Sequence, residues 1–328
     1  MEYRLFGRTG LRVSEVGFGG WALGGAVTLG GQPFGWSGTS DPDSRAAVAR
    51  ALELGINLFD TADVYGLGHG ETLLGEALAT PAGREAVVVS KVGNRWNAAG
   101  EYRKDFSPKY ITQAIDDTLQ RLRREVVDVY LLHSPSPGAV HRGDWVDALT
   151  ALRKAGKIRY FGISLPPAPA AAEAVAAHVF AEGFPCDVFQ VVYSLLEPDM
   201  AFEVMTHAVA RGMAIMARSP LYSGFLTGKF TEATVFPADD HRSRRFTPEV
   251  TRETVGRVER LRPVAEELGC PLPALALKYA LSNPTVHTVI PGMKSPAQVE
   301  ANSAASDGRA LSLLGLRKVH AALEARSA

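Results

Sequence analysis

Between residues 15 and 304 short apolar runs alternate with stretches of helical periodicity, and that rhythm constrains the fold more than any other feature of the chain. Runs rich in β-branched and aromatic residues, of strand length, fall at 15–18, 57–60, 86–91, 127–132, 158–164, 188–192, 214–218 and 288–290. Helical patterns follow at 42–54, 71–79, 108–122, 145–155, 170–181, 200–211, 251–268 with 272–282, and 296–304. Local signals mark the boundaries. Ser107-Pro108 offers a capping hydroxyl followed by a first-turn proline. Gly55, Gly156 and Gly212 each stand where a helix would end on a left-handed residue. Eight strand–helix alternations favour a closed (β/α)8 TIM barrel over an open sheet. Ahead of them, residues 3–6, a turn at 7–10 and residues 11–13 read as a β-hairpin that would close the bottom of the barrel. No linker or shift in composition divides the chain, so residues 1–328 are expected to form a single domain. One long irregular stretch, 219–246, follows the seventh strand and contains the charged run from Asp239 to Arg245. Loops of that length in a compact domain commonly carry function, and this one is a candidate lid.

Apolar residues make up 46% of the chain, charged residues 21%, and the formal net charge is zero. That balance suits a protein with a large core, and it offers no field to attract nucleic acid or an acidic membrane. The first residues, MEYRLFGRTG, lack the apolar centre of a secretory signal, and no apolar stretch reaches membrane-spanning length. Cys186 and Cys270 show no paired spacing and read as free thiols, which fits a cytoplasmic setting. No basic or apolar docking segment stands out, leaving the oligomeric state open.

Asp60, Lys91 and His133 sit at or just past the ends of separate apolar runs, and Tyr65 follows Asp60 in a loop. On neighbouring parallel strands all four would meet at the C-terminal rim, where barrels of this kind place their chemistry. The set is suited to donating a proton. A phenol with a pKa of about 10 is a weak acid at neutral pH, and a nearby ammonium would lower that value. A buried lysine needs an anion to stay charged, which Asp60 could supply. His133 could hydrogen-bond a substrate oxygen and fix its direction. Singly, each residue has a simpler use: Asp60 could cap a helix, Tyr65 could be a rim aromatic, and Lys91 or His133 could be structural. Their convergence argues for a shared site. His133 has no histidine or cysteine at metal-ligand spacing, and no G-x-S-x-G elbow supports a serine nucleophile.

Beyond these four, the chain resembles the aldo-keto reductase superfamily from the first hairpin to about Asn302. The resemblance rests on Gly55-Ile56-Asn57-Leu58-Phe59-Asp60-Thr61-Ala62 with Tyr65-Gly66, on Val89-Ser90-Lys91, and on Leu132-His133-Ser134-Pro135. It continues through Gly156-Lys157-Ile158-Arg159, Gly162-Ile163-Ser164, Ser219-Pro220-Leu221, the stretch from Gly224 to Lys229, and Ile290-Pro291-Gly292 with Gln298 and Asn302. The 221–229 and 239–245 segments look more like bacterial general reductases and the potassium-channel β-subunit branch than like aldose reductase. What the resemblance implies is a barrel that binds a nicotinamide dinucleotide without a Rossmann fold, NADP(H) preferred and NAD(H) possible. A hydride would pass reversibly between nicotinamide C4 and an aldehyde or ketone such as a sugar or steroid. Tyr65 would be the general acid, Lys91 and Asp60 its tuning pair, and His133 the orienting residue.

The resemblance also assigns the cofactor cradle. Gly20, Trp21 and Asp60 would contact the cofactor, and Ser164 and Gln190 would hold the carboxamide of its nicotinamide. Arg218 stands where many relatives place a stacking aromatic. Ser219, Pro220, Leu221, Ser223, Gly224, Leu226, Thr227, Gly228 and Lys229 would wrap the pyrophosphate. Gly292, Lys294, Gln298 and Asn302 would surround the adenosine end. Three further departures stand out: Leu165 for an asparagine, Ala301 for a glutamate, and Gln298 for an arginine expected at the 2′-phosphate. Lys294 is then the best remaining cation for that phosphate.

Trp21, Trp36, Trp96 and Tyr193, with Tyr65 and His133, are candidates to line the substrate pocket, whereas Trp145 reads as packing. An aromatic cleft with few polar groups accepts many small carbonyls or alcohols. Two other functions compete: an NADPH-binding sensor subunit with little turnover, and a lyase using Lys91 as a Schiff base. An intact set of four disfavours the first, and the second leaves the 219–229 and 290–302 segments without a purpose.

Overall fold

The computed structural model describes residues 1–97, 101–198 and 202–324. Its strands, in chain order, are β1 (Tyr3–Leu5), β2 (Arg12–Ser14), β3 (Phe18–Gly19), β4 (Ala26–Leu29), β5 (Gln32–Gly35), β6 (Leu58–Asp60) and β7 (Val87–Val92). They continue with β8 (Asn94–Trp96), β9 (Tyr102–Lys104), β10 (Val127–His133), β11 (Ile158–Ser164), β12 (Val188–Val192), β13 (Ala214–Arg218) and β14 (Thr288–Ile290). Eight of these form one parallel sheet in the order β3-β6-β7-β10-β11-β12-β13-β14. The ends meet: the Val289 amide donates to Glu15 O and the Gly17 amide to Val289 O, both at 2.8 Å. Parallel bridges from Val16 to Val289 and from Gly19 to Gly292 complete the seam. The predicted barrel is therefore the observed one.

Side-chain alternation along the strands separates two cores. Leu58, Val87, Val89, Val129, Leu131, Val188, Ala214, Met216 and Ile290 point inward and pack as one cluster. Phe6 and Val13 join that cluster from the first hairpin, both fully buried. Each such side chain contributes about 1.5–3 kcal/mol on burial, which explains why β1 and β2 stay against the barrel floor. The Arg8 amide bonds Gly212 O at 2.7 Å, and the Ser14 amide bonds Asn57 Oδ1 at 2.7 Å, both at the N-terminal side of the strands. The outward faces pack under the helices in a second, larger cluster.

Helix bounds follow the predicted pattern closely. Pro108–Leu122 begins as expected at Ser107, whose hydroxyl accepts from the Tyr110 amide. Gly55, Gly156 and Gly212 adopt φ of 83°, 75° and 72° at the helix ends. The helix predicted over 200–211 is observed as Phe202–Ala210, and Met200 lies outside the described residues. The predicted 251–268 helix is two, Pro248–Glu259 and Arg262–Glu267, with Pro263 in the first turn of the second. Two hairpins, β4–β5 and β8–β9, and a closing helix, Leu313–Glu324, were not anticipated. No helix among the described residues is long and apolar enough to cross a membrane.

Candidate active site

The inward rows that fill the barrel floor with valine and leucine end in polar residues at the opposite rim. Leu58 is followed on its face by Asp60, Val89 by Lys91, Leu131 by His133, Gly162 by Ser164, Val188 by Gln190 and Met216 by Arg218. Strand period and parallel register thus bring six polar side chains to one end of the barrel. Glycines let the backbone approach closely beside them. A Cβ at Gly20 would lie 2.6 Å from Asp60 O, and one at Gly162 would lie 1.8 Å from Val188 O.

Lys91 is the centre of the set. Its Nζ donates to Asp60 Oδ2 at 2.8 Å, Thr61 O at 2.7 Å and Tyr65 Oη at 3.2 Å. The Lys91 side chain is wholly buried and that of Asp60 is 4% exposed. Burial pulls the ammonium's pKa down, but Asp60 and Tyr65 more than offset it and hold it above the ordinary lysine value. A lysine held charged in this way is a poor Schiff-base nucleophile. The chain of bonds runs on: Gln190 Nε2 donates to Asp60 Oδ1 at 2.7 Å, and Ser164 Oγ donates to Gln190 Oε1 at 3.0 Å.

Tyr65 departs from the expected tuning. Burial raises its pKa above 10, and Lys91 and Arg218 only oppose that rise. Desolvation of the phenolate outweighs the neighbouring cations, so Tyr65 rests as a protonated phenol. His133 meets Tyr65 edge to face, ring centroids 5.9 Å apart at 84°. Burial, then Lys91, Lys104 and Arg218, holds its imidazole well below 6.5 and therefore neutral. A phenol donor and a neutral imidazole face the same cleft.

The walls are aromatic. Trp21 stacks on Tyr65 at 5.9 Å and 25°, and Phe34, Trp36 and His241 surround Trp21 at 5.6, 5.7 and 4.3 Å. Trp96, on β8, packs in the cluster around Leu29, Ala62, Val64 and Tyr65. The 219–246 stretch does reach over this wall: Asp240 is fully buried, pairs with Arg242 at 2.7 Å and accepts from Ser37 Oγ at 3.2 Å. Tyr193 is a correction. Val188, Gln190 and Val192 share the inward register, so the next residue turns outward. Its ring stacks on Tyr279 at 6.2 Å, and its hydroxyl accepts from Asn283 Nδ2 at 3.3 Å, in the helical layer instead of the pocket. Trp145 is fully buried, its Nε1 donating to Val140 O, and is packing as expected.

The residues expected to cradle the dinucleotide have features that fit an anionic ligand. Ser219, Tyr222, Ser223, Gly224 and Gly228 all take left-handed φ between 47° and 92°. Such strained turns gather backbone N–H groups into a concave surface suited to phosphate. Pro220, Leu221 and Leu226 are buried beneath them, and Thr227 Oγ1 ties back to Gly224 O at 2.6 Å. Lys229, Lys294 and Arg242 lie near enough that, after burial, their mutual repulsion depresses both lysine pKa values. Lys294 Nζ caps Gly38 O at 2.9 Å, and its backbone amide donates to Gln298 Oε1. Gln298 and the buried Asn302 lie on the helix Pro296–Ser303, while Gly292 lies in the barrel seam. Arg218 Nε and Trp21 Nε1 are buried with no partner among the described residues, as donors awaiting a ligand would be.

Phe34, His241, Asn94 and Tyr102 complete the site's surroundings and were not singled out from the sequence. For the β4–β5 hairpin that carries Phe34, the Gly30-Gly31 pair was an available signal, with φ of 56° and 72° at its tip.

Comparison with known proteins accords with this geometry. The family profile described as "Aldo/keto reductase family" matches residues 15–313. The NADH-specific methylglyoxal reductase of Escherichia coli (strain K12) is 30% identical over 315 residues, spanning 91% of each chain. A probable voltage-gated potassium channel subunit beta of Oryza sativa subsp. japonica is 30% identical over 317 residues, 94% of this chain and 92% of that one. Among solved structures, the glycerol dehydrogenase AKR11B4 from Gluconobacter oxydans superposes with a TM-score of 0.80 at 29% identity, covering 95% of this chain and 92% of that one. The chain belongs to the aldo/keto reductase family, oxidoreductases that bind nicotinamide cofactors and act on small carbonyl substrates.

Proposed function

We propose that this protein reversibly reduces an aldehyde or ketone with NADPH preferred over NADH, in a cytoplasmic setting that suits its two unpaired thiols. The observation that carries the reading is the Lys91 ammonium, bonded at once to Asp60 and to the hydroxyl of a Tyr65 that faces His133. The bound nicotinamide would supply the hydride in reduction and accept it in oxidation. Trp21, Ser164, Gln190 and Arg218 would hold its ring, the left-handed turns from Ser219 to Gly228 its pyrophosphate, and Lys294 the 2′-phosphate.

Tyr65 and His133 both aim hydrogen-bond donors at the carbonyl oxygen, which polarises the carbon and fixes the face open to attack. As negative charge grows on that oxygen, Tyr65 Oη gives up its proton. The phenolate that forms lies against Lys91 and near Arg218, so the cations that fail to ionise Tyr65 at rest favour its ionisation during transfer. Asp60 keeps Lys91 charged throughout. Trp21, Phe34, Trp36 and Trp96 exclude water from the transfer.

The test is NADPH oxidation, followed by absorbance, over a panel of aldehydes, ketones and sugars. Tyr65→Phe is expected to lower turnover at least about 10²-fold, as for loss of a positioned general acid. Wild-type activity in Tyr65→Phe would remove the assigned acid. Tight NADPH binding with no turnover on any carbonyl would replace the reductase reading with that of a cofactor-binding sensor.

A further inference from the structure

The β8–β9 hairpin follows Lys91 directly and grips His133 from two sides. Lys104 Nζ donates to the His133 carbonyl at 2.8 Å, while Asn94 Nδ2 lies 2.8 Å from the ring's Nδ1. Asn94 and Lys104 are direct partners in the hairpin register. Asn94 is 3% exposed, its backbone carbonyl accepts from Tyr110 Oη at 3.1 Å, and its side-chain Oδ1 accepts from Tyr102 Oη at 2.7 Å. No step of the mechanism above uses Asn94 or Tyr102.

We infer that Asn94, oriented by Tyr102, holds His133 as its Nε2–H tautomer and so keeps a donor aimed into the cleft. A primary amide presents its acceptor on one side and its donors on the other. A phenol donates well and accepts poorly, because its lone pair is delocalised into the ring. Tyr102 therefore takes the amide oxygen, and the Asn94 NH2 is left facing His133. Opposite a donor, Nδ1 must be the unprotonated nitrogen. An imidazolium would set two donors against each other there, and it would face the cations Lys91 on β7, Lys104 on β9 and Arg218 on β13. The ring stays neutral, so its one proton lies on Nε2. The use of that proton on a carbonyl oxygen rests on the proposed function; the tautomer does not. Asn94 is thus a positioning residue acting through His133.

The test reads the tautomer directly. Protein labelled with 15N-histidine is examined by proton–nitrogen correlation of the imidazoles at neutral pH without substrate. His133→Gln identifies the resonance by its loss from the set of eight histidines. Wild-type His133 is expected as Nε2–H. Asn94→Asp puts an acceptor opposite Nδ1 and is expected to give the Nδ1–H or charged ring. With a turned-over carbonyl, its kcat should fall about 10²-fold while NADPH affinity changes less than about 2-fold, as when a catalytic imidazole is held in the wrong tautomer. Tyr102→Phe, at the hairpin surface, frees the amide to rotate and should give a mixture of tautomers. A wild-type ring in the Nδ1–H form, or an Asn94→Asp spectrum unchanged from wild type, overturns the inference. Failure to reduce any carbonyl would count against the reductase reading and would leave the spectra to decide this one.

Discussion

Replacing Asp60 by asparagine should destabilise the fold far more than a surface charge change, and a double-mutant cycle with Lys91 gives the size. The two charges are 2.8 Å apart with side chains 0% and 4% exposed. At an effective dielectric of about 20 their bare attraction is about 6 kcal/mol, most of it offset by the cost of taking both from water. Removing one partner leaves that cost uncompensated. Asp60→Asn strands a buried ammonium, and Lys91→Met strands a buried carboxylate left with the Gln190 hydrogen bond and the more distant charge of Arg218. Each single change should cost about 3–5 kcal/mol. Asp60→Asn with Lys91→Met buries no net charge, so its cost should fall at least about 2 kcal/mol short of the sum. Urea unfolding, followed by fluorescence of the four tryptophans and by circular dichroism, measures all four proteins. Additive losses, or a cost below about 1 kcal/mol for Asp60→Asn, would mean that Lys91 is neutral or hydrated and would refute the buried ion pair.

Two further outcomes follow from the site's electrostatics. His133 holds its pKa well below 6.5, through burial first and then Lys91, Lys104 and Arg218, so the unfolded chain takes up a proton that the folded one refuses. Its stabilising contribution is full above pH about 6.5 and is lost as pH falls below it, by about 1.4 kcal/mol per unit until the folded value is reached. His241 and His287 shift the same way, so the measurement is the difference in urea midpoint between wild type and His133→Gln from pH 8 to pH 5. A difference that stays constant below pH 6 refutes the assignment. At the other end of the cleft, Lys294→Ala should raise the NADPH dissociation constant about 10-fold or more, the worth of one charge-assisted hydrogen bond, and leave NADH nearly unchanged. Equal losses in fluorescence titrations would remove Lys294 from the 2′-phosphate.

How far the sequence could be read depended on the range of the interaction involved. The barrel was legible because strand and helix periods are local, and Asp60, Lys91 and His133 were legible because each ends an apolar run. Their assembly needed only parallel register, which closes at Glu15, Gly17 and Val289 as the strand count requires. The pKa of Tyr65 was not legible: proximity to Lys91 predicts a fall, and only the packing of Trp21 and the barrel rim shows burial prevailing. Tyr193 followed a predicted strand by one residue, and a single step of alternation placed it on the outward face. The β8–β9 hairpin was missed because its strands are three residues each and its outward positions are charged, leaving no apolar period to detect.

Two departures from the family pattern, separate in sequence, become one feature in the structure. Leu165 replaces an asparagine expected beside the nicotinamide, and Arg218 replaces an expected stacking aromatic. Arg218 Nη2 donates to the Leu165 carbonyl at 3.1 Å, so the guanidinium reaches back to the position that lacks a polar side chain. One arginine can supply both a planar face and a donor, whereas the usual pair divides those tasks. It also brings a charge, and Asp60 and Tyr65 both feel it. A cation at that place opposes the positively charged, oxidised nicotinamide and favours the tyrosinate formed on proton transfer. With the nicotinamide held there as proposed, both effects would act in the same sense, toward tighter binding of the reduced than of the oxidised cofactor and toward reduction. Arg218→Tyr, which restores the common aromatic, should therefore lower the ratio of NADP+ to NADPH dissociation constants; an unchanged ratio would show that the guanidinium charge does not reach the ring.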